Sequence, residues 1–404
     1  MHVDLHATLA NDKRAQQAAE LTTACVHCGF CLETCPTYLD RRDERDSPRG
    51  RIYLIKQLLE SGEATDISQT HLDRCLTCRN CETTCPSGVQ YAELLDLGRS
   101  LVEPLAPRPL PQRALRALLR RGLTQPAVLA CGLGLARLVR PLLPQALARK
   151  IPRRQSTGRR PVAVHARKML VLEGCVQRAA TPRTNACARR VLDKLDITLV
   201  SAAQAGCCGA LNQHLNAQRE ALDDLRRNID AWTPALEDGI EAIVSTASGC
   251  GVMLADYGRL LADDPDYAQR AARVSALHKD LCEVLLDEDL NRLQIDTTVG
   301  KVAVHTPCTL QHGQALPHAL DDLLRAAGFT LSQHRDGHLC CGSAGTYSIL
   351  HPGASERLRE HKLQRLLEDS PTLIASANIG CQMHLQAGTG VSVKHWIELF
   401  DSDA

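Results

Sequence analysis

Two stretches of the chain carry one pattern. Residues 25–36 read CVHCGFCLETCP and residues 75–86 read CLTCRNCETTCP, each a C-x2-C-x2-C-x3-C-P run. The fold must bring Cys25, Cys28, Cys31 and Cys35, and Cys75, Cys78, Cys81 and Cys85, to whatever they bind. That narrows its choices more than any other feature. Three cysteines at this step suit three iron corners of a [4Fe–4S] cube, and in two-run proteins the fourth ligates the cube held by the other run. The spacing therefore predicts one cluster on Cys25, Cys28, Cys31 and Cys85 and a second on Cys75, Cys78, Cys81 and Cys35. Structural zinc, the alternative, asks for four ligands, usually as two C-x2-C pairs across a loop. It has no use for a third cysteine at the same step with a trailing Cys-Pro.

Composition points to metal-bound rather than disulfide-bonded sulfur. The chain has 404 residues and 19 cysteines, an odd count, of which 16 fall in repeated motifs. A chain this long is unlike a small secreted disulfide scaffold. Its N-terminus, MHVDLHATLANDKRAQQAAE, has scattered charges and no apolar signal-peptide core, so a reducing cytoplasm is the expected home. No run of about eighteen apolar residues is visible, and no membrane span is expected.

Residues 12–24 read as a helix leading into the first run. Ser47-Pro48 offers an N-cap and a first-turn proline, RGRIYLIKQLLESG has apolar residues at helical spacing, and Gly62 supplies the stop. Arg49 and Arg51 are expected on a solvated first turn. VQYAELLDLGRSLVE reads as another helix, so residues 1–102 form a helical ferredoxin-type domain. Residues 103–160 form a basic Pro/Leu-rich linker, with short amphipathic helices broken by Pro126, Pro141 and Pro144. Net charge is +1 overall, yet residues 101–160 hold thirteen Lys/Arg and one acid, Glu103. Three uses are open: a strap packed across the domains, a surface for another subunit, or a peripheral membrane contact through basic residues and exposed leucines. Nucleic acid ranks last, since aromatics are 3% of the chain and no recognition motif accompanies the charge. Cys131, outside every motif, is expected to be a buried small hydrophobe.

From residue 161 a second repetition begins. Cys175, Cys207, Cys208 and Cys250 recur as Cys308, Cys340, Cys341 and Cys381, 131 to 133 residues further on, which indicates duplication. Each copy, 161–295 and 296–404, alternates β-branched runs such as MLVLEG and KVAVHTP with helical stretches, the rhythm of a parallel α/β unit. The expected class is α+β multidomain: a helical ferredoxin-like 2×[4Fe–4S] domain followed by two repeated α/β Cys-Cys-Gly units. Each cysteine follows a predicted strand or sits in the glycine-bearing loop after one, so each set of four should converge at strand C-termini.

Four such sulfurs suit a further iron–sulfur cluster, a zinc ion or a thiol–disulfide site; the bland alternative is packed, reduced thiols left by the duplication. A disulfide between adjacent cysteines strains the peptide. His214, His305, His312, His338 and His384 lie near these loops as candidate ligands or proton relays, although loop histidines satisfied by backbone are commoner. Cys187 and Cys282 lack counterparts and read as structural. The chain has no G-x-G-x-x-G after a strand, no P-loop, no G-x-S-x-G and no H-E-x-x-H. Nothing here recognisably binds flavin, nicotinamide or substrate, so no catalytic residue is assigned.

With these motifs placed, the chain resembles the iron–sulfur subunits of bacterial glycolate oxidase (glycolate dehydrogenase) over nearly its whole length. CVHCGFCLETCPTYLD, SPRGRIYLIKQLLESG and HLDRCLTCRNCETTCPSGVQYAELLDLGR carry the likeness. The Cys-Cys-Gly half is similar, more widely, to the iron–sulfur subunit of anaerobic glycerol-3-phosphate dehydrogenase, a lactate-utilisation protein and heterodisulfide reductase. The resemblance implies a non-catalytic electron-transfer subunit of an oxidoreductase. FAD would sit on partner subunits that oxidise glycolate to glyoxylate, with electrons passing to a membrane acceptor such as quinone at the inner face of the cell membrane. It carries the eight ferredoxin-type cysteines over as cluster ligands. The alternatives are a partner acting on glycerol 3-phosphate or lactate, and a thiol–disulfide reductase. Against the last, heterodisulfide reductase ends its motif in a C-x-x-C pair, whereas here Met253 follows Cys250 at that step and His384 follows Cys381.

Overall fold

The computed structural model describes residues 1–403. Its N-terminal part is helical. Asp12 accepts from Arg14 N and opens the helix Lys13–Thr23. Ser47 Oγ accepts from Gly50 N at 3.0 Å, Pro48 opens the first turn, and Pro48–Ser61 stops where Gly62 turns left-handed at φ +71°. Asp66–Asp73 and Tyr91–Leu105 complete the bundle. Ile52, Ile55, Leu58 and Leu59 join Leu94, Leu95, Leu101 and Val102 in one apolar core. Gly98 permits the close approach of two helices, since a Cβ there would lie 2.6 Å from Ile55 Cδ1.

The same core-facing stripe turns Arg51 inward, contrary to the solvated turn expected for it. Position 51 precedes Ile55 by one helical turn and therefore shares its face. Arg51 is 0% exposed. Its Nε donates to His71 O at 2.7 Å and both terminal nitrogens donate to Thr37 Oγ1 at 3.1 Å. Arg49 is half-buried and paired with Glu44.

The second half is built on parallel sheets. Strands β1 (Arg167–Leu172), β2 (Ile197–Val200), β3 (Ile243–Ser245) and β4 (His278–Asp280) stand in the order β2-β1-β3-β4. Strands β5 (Val302–His305), β6 (Leu373–Ser376) and β7 (Ser392–His395) repeat this as β5-β6-β7, with a single bridge from Val302 to Leu331 where β2 would stand. The register repeats too: Leu172 pairs with Ser245 in one unit and His305 with Ser376 in the other. The units share a core, Val171, Leu199 and Val244 of the first lying with Val304, Leu373 and Trp396 of the second. The fold is α+β and multidomain.

Between the halves, helix Leu110–Thr124 and segment Pro126–Leu142 meet at 96°. They strap the molecule: Arg116 pairs with Asp73 at 2.7 Å, Arg120 with Glu220 at 3.0 Å and, further on, Lys150 with Glu356 at 3.1 Å. Leu118, Leu135, Leu138 and Leu142 are exposed. Cys131 is exposed as well, not buried as expected, because no residue of Pro126–Val139 is buried. Among the described residues no single helix is long and apolar enough to cross a membrane.

Candidate iron–sulfur sites

Each ferredoxin-type run begins where a helix ends, Cys25 after Lys13–Thr23 and Cys75 after Asp66–Asp73. The loops repeat in backbone as they do in sequence. The φ angle is +56° at His27 and +88° at Gly29, then +53° at Thr77 and +59° at Arg79. Left-handed backbone at non-glycine residues is costly and persists where the surroundings over-determine it. Here it curls each loop so that its sulfurs line a hollow.

Cys25, Cys28 and Cys31 line one hollow together with Cys85, and Cys81 borders it. Cys75, Cys78 and Cys81 line the other together with Cys35. The trailing cysteine of each run thus stands at the other run's hollow. Pro36 then opens the short helix Pro36–Arg41 and carries the chain away. Val26, Phe30, Ile52 and Val89 wall the first hollow, Pro36 and Leu76 the second, and Tyr91 touches both.

Burial pushes the Cys31 thiol up to about 11. Cys78 and Cys81 rise well above the usual thiol range through burial and then through neighbouring sulfurs. Sulfurs crowded in this way would give up their protons to solvent as a cation binds, and thiolates are the ligands iron–sulfur clusters take. The donor set therefore fits a thiolate-ligated metal group in each hollow. Thr77 N donates to Cys75 Sγ at 3.4 Å. Arg51, which sequence reasoning placed in solvent, is a buried cation beside Cys35 and Cys75. Its spacing from Ile55 was the available signal.

The Cys-Cys-Gly cysteines gather at the carboxyl ends of the strands. Cys175 Sγ lies 3.6 Å from Cys207 Sγ, and Cys208 shares their buried cluster, with Cys250 packed against it. In the second unit Cys308 Sγ lies 3.8 Å from Cys340 Sγ, and Cys341 packs with Cys381, their sulfurs within 4.8 Å. Gly209 and Gly342 adopt φ +92° and +88°; a Cβ would strike Leu225 Cδ1 at 2.6 Å in one and Ser355 O at 2.7 Å in the other. Glycine after the cysteine pair is thus required twice over, by backbone and by space.

A ring nitrogen of His305 lies with Cys341 Sγ and Cys381 Sγ, all within 4.8 Å of one another. His384 is held by Ser355 Oγ at 3.1 Å, and burial pulls it down to about 4. His312 and His338 stitch the second unit to the helical domain: His312 Nδ1 is 3.0 Å from Thr83 Oγ1, and Asn80 Nδ2 donates to His338 O at 3.1 Å. His214 lies 3.8 Å from Asp96. Cys187 and Cys282 are buried in the apolar core. Sequence reasoning also passed over Lys362, 1% exposed, whose Nζ donates to Asp336 O at 3.0 Å and Gly337 O at 2.9 Å. It lies on the inner face of helix Pro352–Leu366 with Arg359, Leu363 and Leu366, a spacing that was legible.

The 4Fe-4S dicluster domain family matches residues 22–89, and the cysteine-rich domain family matches twice, at 169–255 and 302–386. The chain is 50% identical over 402 residues to the glycolate oxidase iron-sulfur subunit of Escherichia coli, covering 99% of this chain and 98% of that one. A probable glycolate oxidase iron-sulfur subunit of Bacillus subtilis is 30% identical over 396 residues, 90% of this chain and 88% of the relative. Lactate utilization protein A of Bacillus licheniformis is 27% identical over 206 residues, 48% of this chain and 83% of the relative.

Proposed function

The chain belongs to the glycolate oxidase iron–sulfur subunit family, and from there we propose that it relays electrons from FAD-containing subunits, which oxidise glycolate to glyoxylate, to a membrane acceptor such as quinone. The observation that carries this reading is the pair of neighbouring hollows, each lined by three cysteines of one run and the last of the other, with Cys81 lining both. Cys25, Cys28, Cys31 and Cys85 would hold one cluster, and Cys75, Cys78, Cys81 and Cys35 the other. Bound there, two [4Fe–4S] clusters take one electron each, so a flavin carrying two can discharge stepwise. Apolar residues wall both hollows, although Cys28 is exposed in the first, and Arg51 supplies fixed positive charge beside the second.

In this division of labour residues 1–102 carry the relay, 103–160 form the basic strap, and 161–295 and 296–404 are the two Cys-Cys-Gly units, each offering four thiolates to a further cluster or zinc. Anaerobic purification should bring down FAD-containing subunits and yield at least about eight irons per chain, as two cubes require. Glycolate should bleach the iron–sulfur absorption of the complex. Zinc in place of iron, or bleaching by lactate or glycerol 3-phosphate and not by glycolate, overturns the reading.

The strap supplies the membrane contact of this reading. Exposed leucines stand among basic residues, the pairing that places an amphipathic segment at an anionic lipid surface. The double variant Leu118→Asp, Leu138→Asp is expected to shift the complex from anionic vesicles into the supernatant on co-sedimentation. Undiminished sedimentation would remove the strap from the membrane contact.

A further inference from the structure

The two Cys-Cys-Gly sets are alike in spacing and unlike in surroundings. Where the first unit ends its strand in Leu172, opposite Ser245, the second ends in His305, opposite Ser376. Ser376 Oγ lies 3.0 Å from His305 Nδ1, the sort of outer partner that orients a ligating ring. The second difference lies on the helix that packs over the cysteine-pair glycine. Gly209 packs on Ala221 O and Gly342 on Ser355 O. Seven residues beyond these carbonyls stand Asn228 and Lys362. Asn228 is a neutral amide, donating to Cys207 O at 2.7 Å and to the Tyr257 hydroxyl at 3.0 Å. Lys362 is a buried ammonium with two carbonyl acceptors; burial pulls it below the ordinary lysine value, and the nearby sulfurs of Cys341, Cys340, Cys308 and Cys381 act the other way.

The sets also differ in what they face. Cys175, Cys207 and Cys208 pack in an apolar cluster drawn wholly from their own unit. Cys340 packs with Leu76 of the second ferredoxin-type run, and Cys78 and Cys308 lean on that same cluster. Asn80 and Thr83, inside the second run, bond across to His338 and His312. The second set is therefore seated against the second hollow.

We propose that Cys308, Cys340, Cys341 and Cys381, with His305, form a third iron–sulfur redox station in line with the second run, that Lys362 is its charge-compensating positioning residue, and that the first set stands off that line. The proposal rests on the relay reading above. The step is outer-sphere: one electron leaves a reduced cluster on the second run and enters an oxidised iron–sulfur centre on the second set. No bond forms or breaks, and the fixed charge of Lys362 offsets the added negative charge, so no proton has to follow.

The test uses the whole chain, purified anaerobically and reduced with dithionite. Iron content should exceed that of two cubes, and the electron paramagnetic resonance signal of the second-run cluster should be broadened by a neighbouring paramagnet. Cys340→Ser should lower the iron and remove the broadening, whereas Cys207→Ser should leave the broadening in place. Lys362→Met should keep the iron but move the midpoint potential of the third centre to more negative values, and Lys362→Arg should restore it; Lys362→Gln serves if the methionine variant does not fold. Unchanged iron and line shape in Cys340→Ser, or zinc bound at the second set, overturns the third station while leaving the two-cluster relay standing, and an unmoved potential without the lysine charge overturns the role of Lys362. A chain with no iron at all removes both.

Discussion

Cys85→Ser is expected to destroy the cluster of the first run and spare that of the second, although Cys85 belongs to the second run in sequence. The hollow lined by Cys25, Cys28 and Cys31 is closed by Cys85, and Cys35 stands at the other. Loss of one cube should take about four irons per chain. The surviving paramagnetic signal should be the one left by Cys28→Ser, and Cys35→Ser should leave the complementary one. In both first-hollow variants glycolate-dependent reduction of the terminal acceptor should fall to background, while the partner's FAD remains reducible by glycolate. Were Cys85→Ser to share its residual signal with Cys78→Ser, each run would hold its own four ligands and the crossed assignment would be wrong.

Arg51→Met is expected to cost about 3 kcal/mol of folding stability or more, the range seen when one partner of a buried charge network is removed. Arg51 and Asp46 are both 0% exposed, and Asp46 is further held by His71 at 2.8 Å and Arg74 at 3.3 Å. Methionine fills the space but leaves His71 O and Thr37 Oγ1 short of their buried donor. Anaerobic urea unfolding of the cluster-loaded chain measures the effect. Because the guanidinium lies beside Cys35 and Cys75, the second-run cluster should also become harder to reduce. Wild-type stability with a wild-type potential would show that Arg51 matters to neither.

Some of this was legible in the chain itself because the chemistry is local. A cluster loop is closed by cysteines three and four residues apart, so its ligands announce themselves by spacing. The helix from Pro48 to Ser61 could be read from Ser47, Pro48 and Gly62, because caps satisfy backbone groups within a turn. The duplication, too, was written in spacing, and the two parallel sheets repeat its register.

Other features depended on segments far apart in sequence. Cys131 looked like core and lies in solvent, since the face of its helix finds no partner. Arg51 looked like surface and Lys362 drew no reading, yet both are buried, because long polar side chains enter a core when carbonyls from other segments receive them, His71 O for one and Asp336 O and Gly337 O for the other.

By itself the sequence determined which sulfurs act together and that the Cys-Cys-Gly unit occurs twice, since both are matters of spacing along one chain. The exchange of Cys35 and Cys85 between runs was likewise an expectation from spacing; only the tertiary structure decided that the second Cys-Cys-Gly set, not the first, sits against a ferredoxin-type run beside a buried ammonium. Identical spacings carry no information about neighbours; packing chooses those, and the neighbours set the charge around each sulfur.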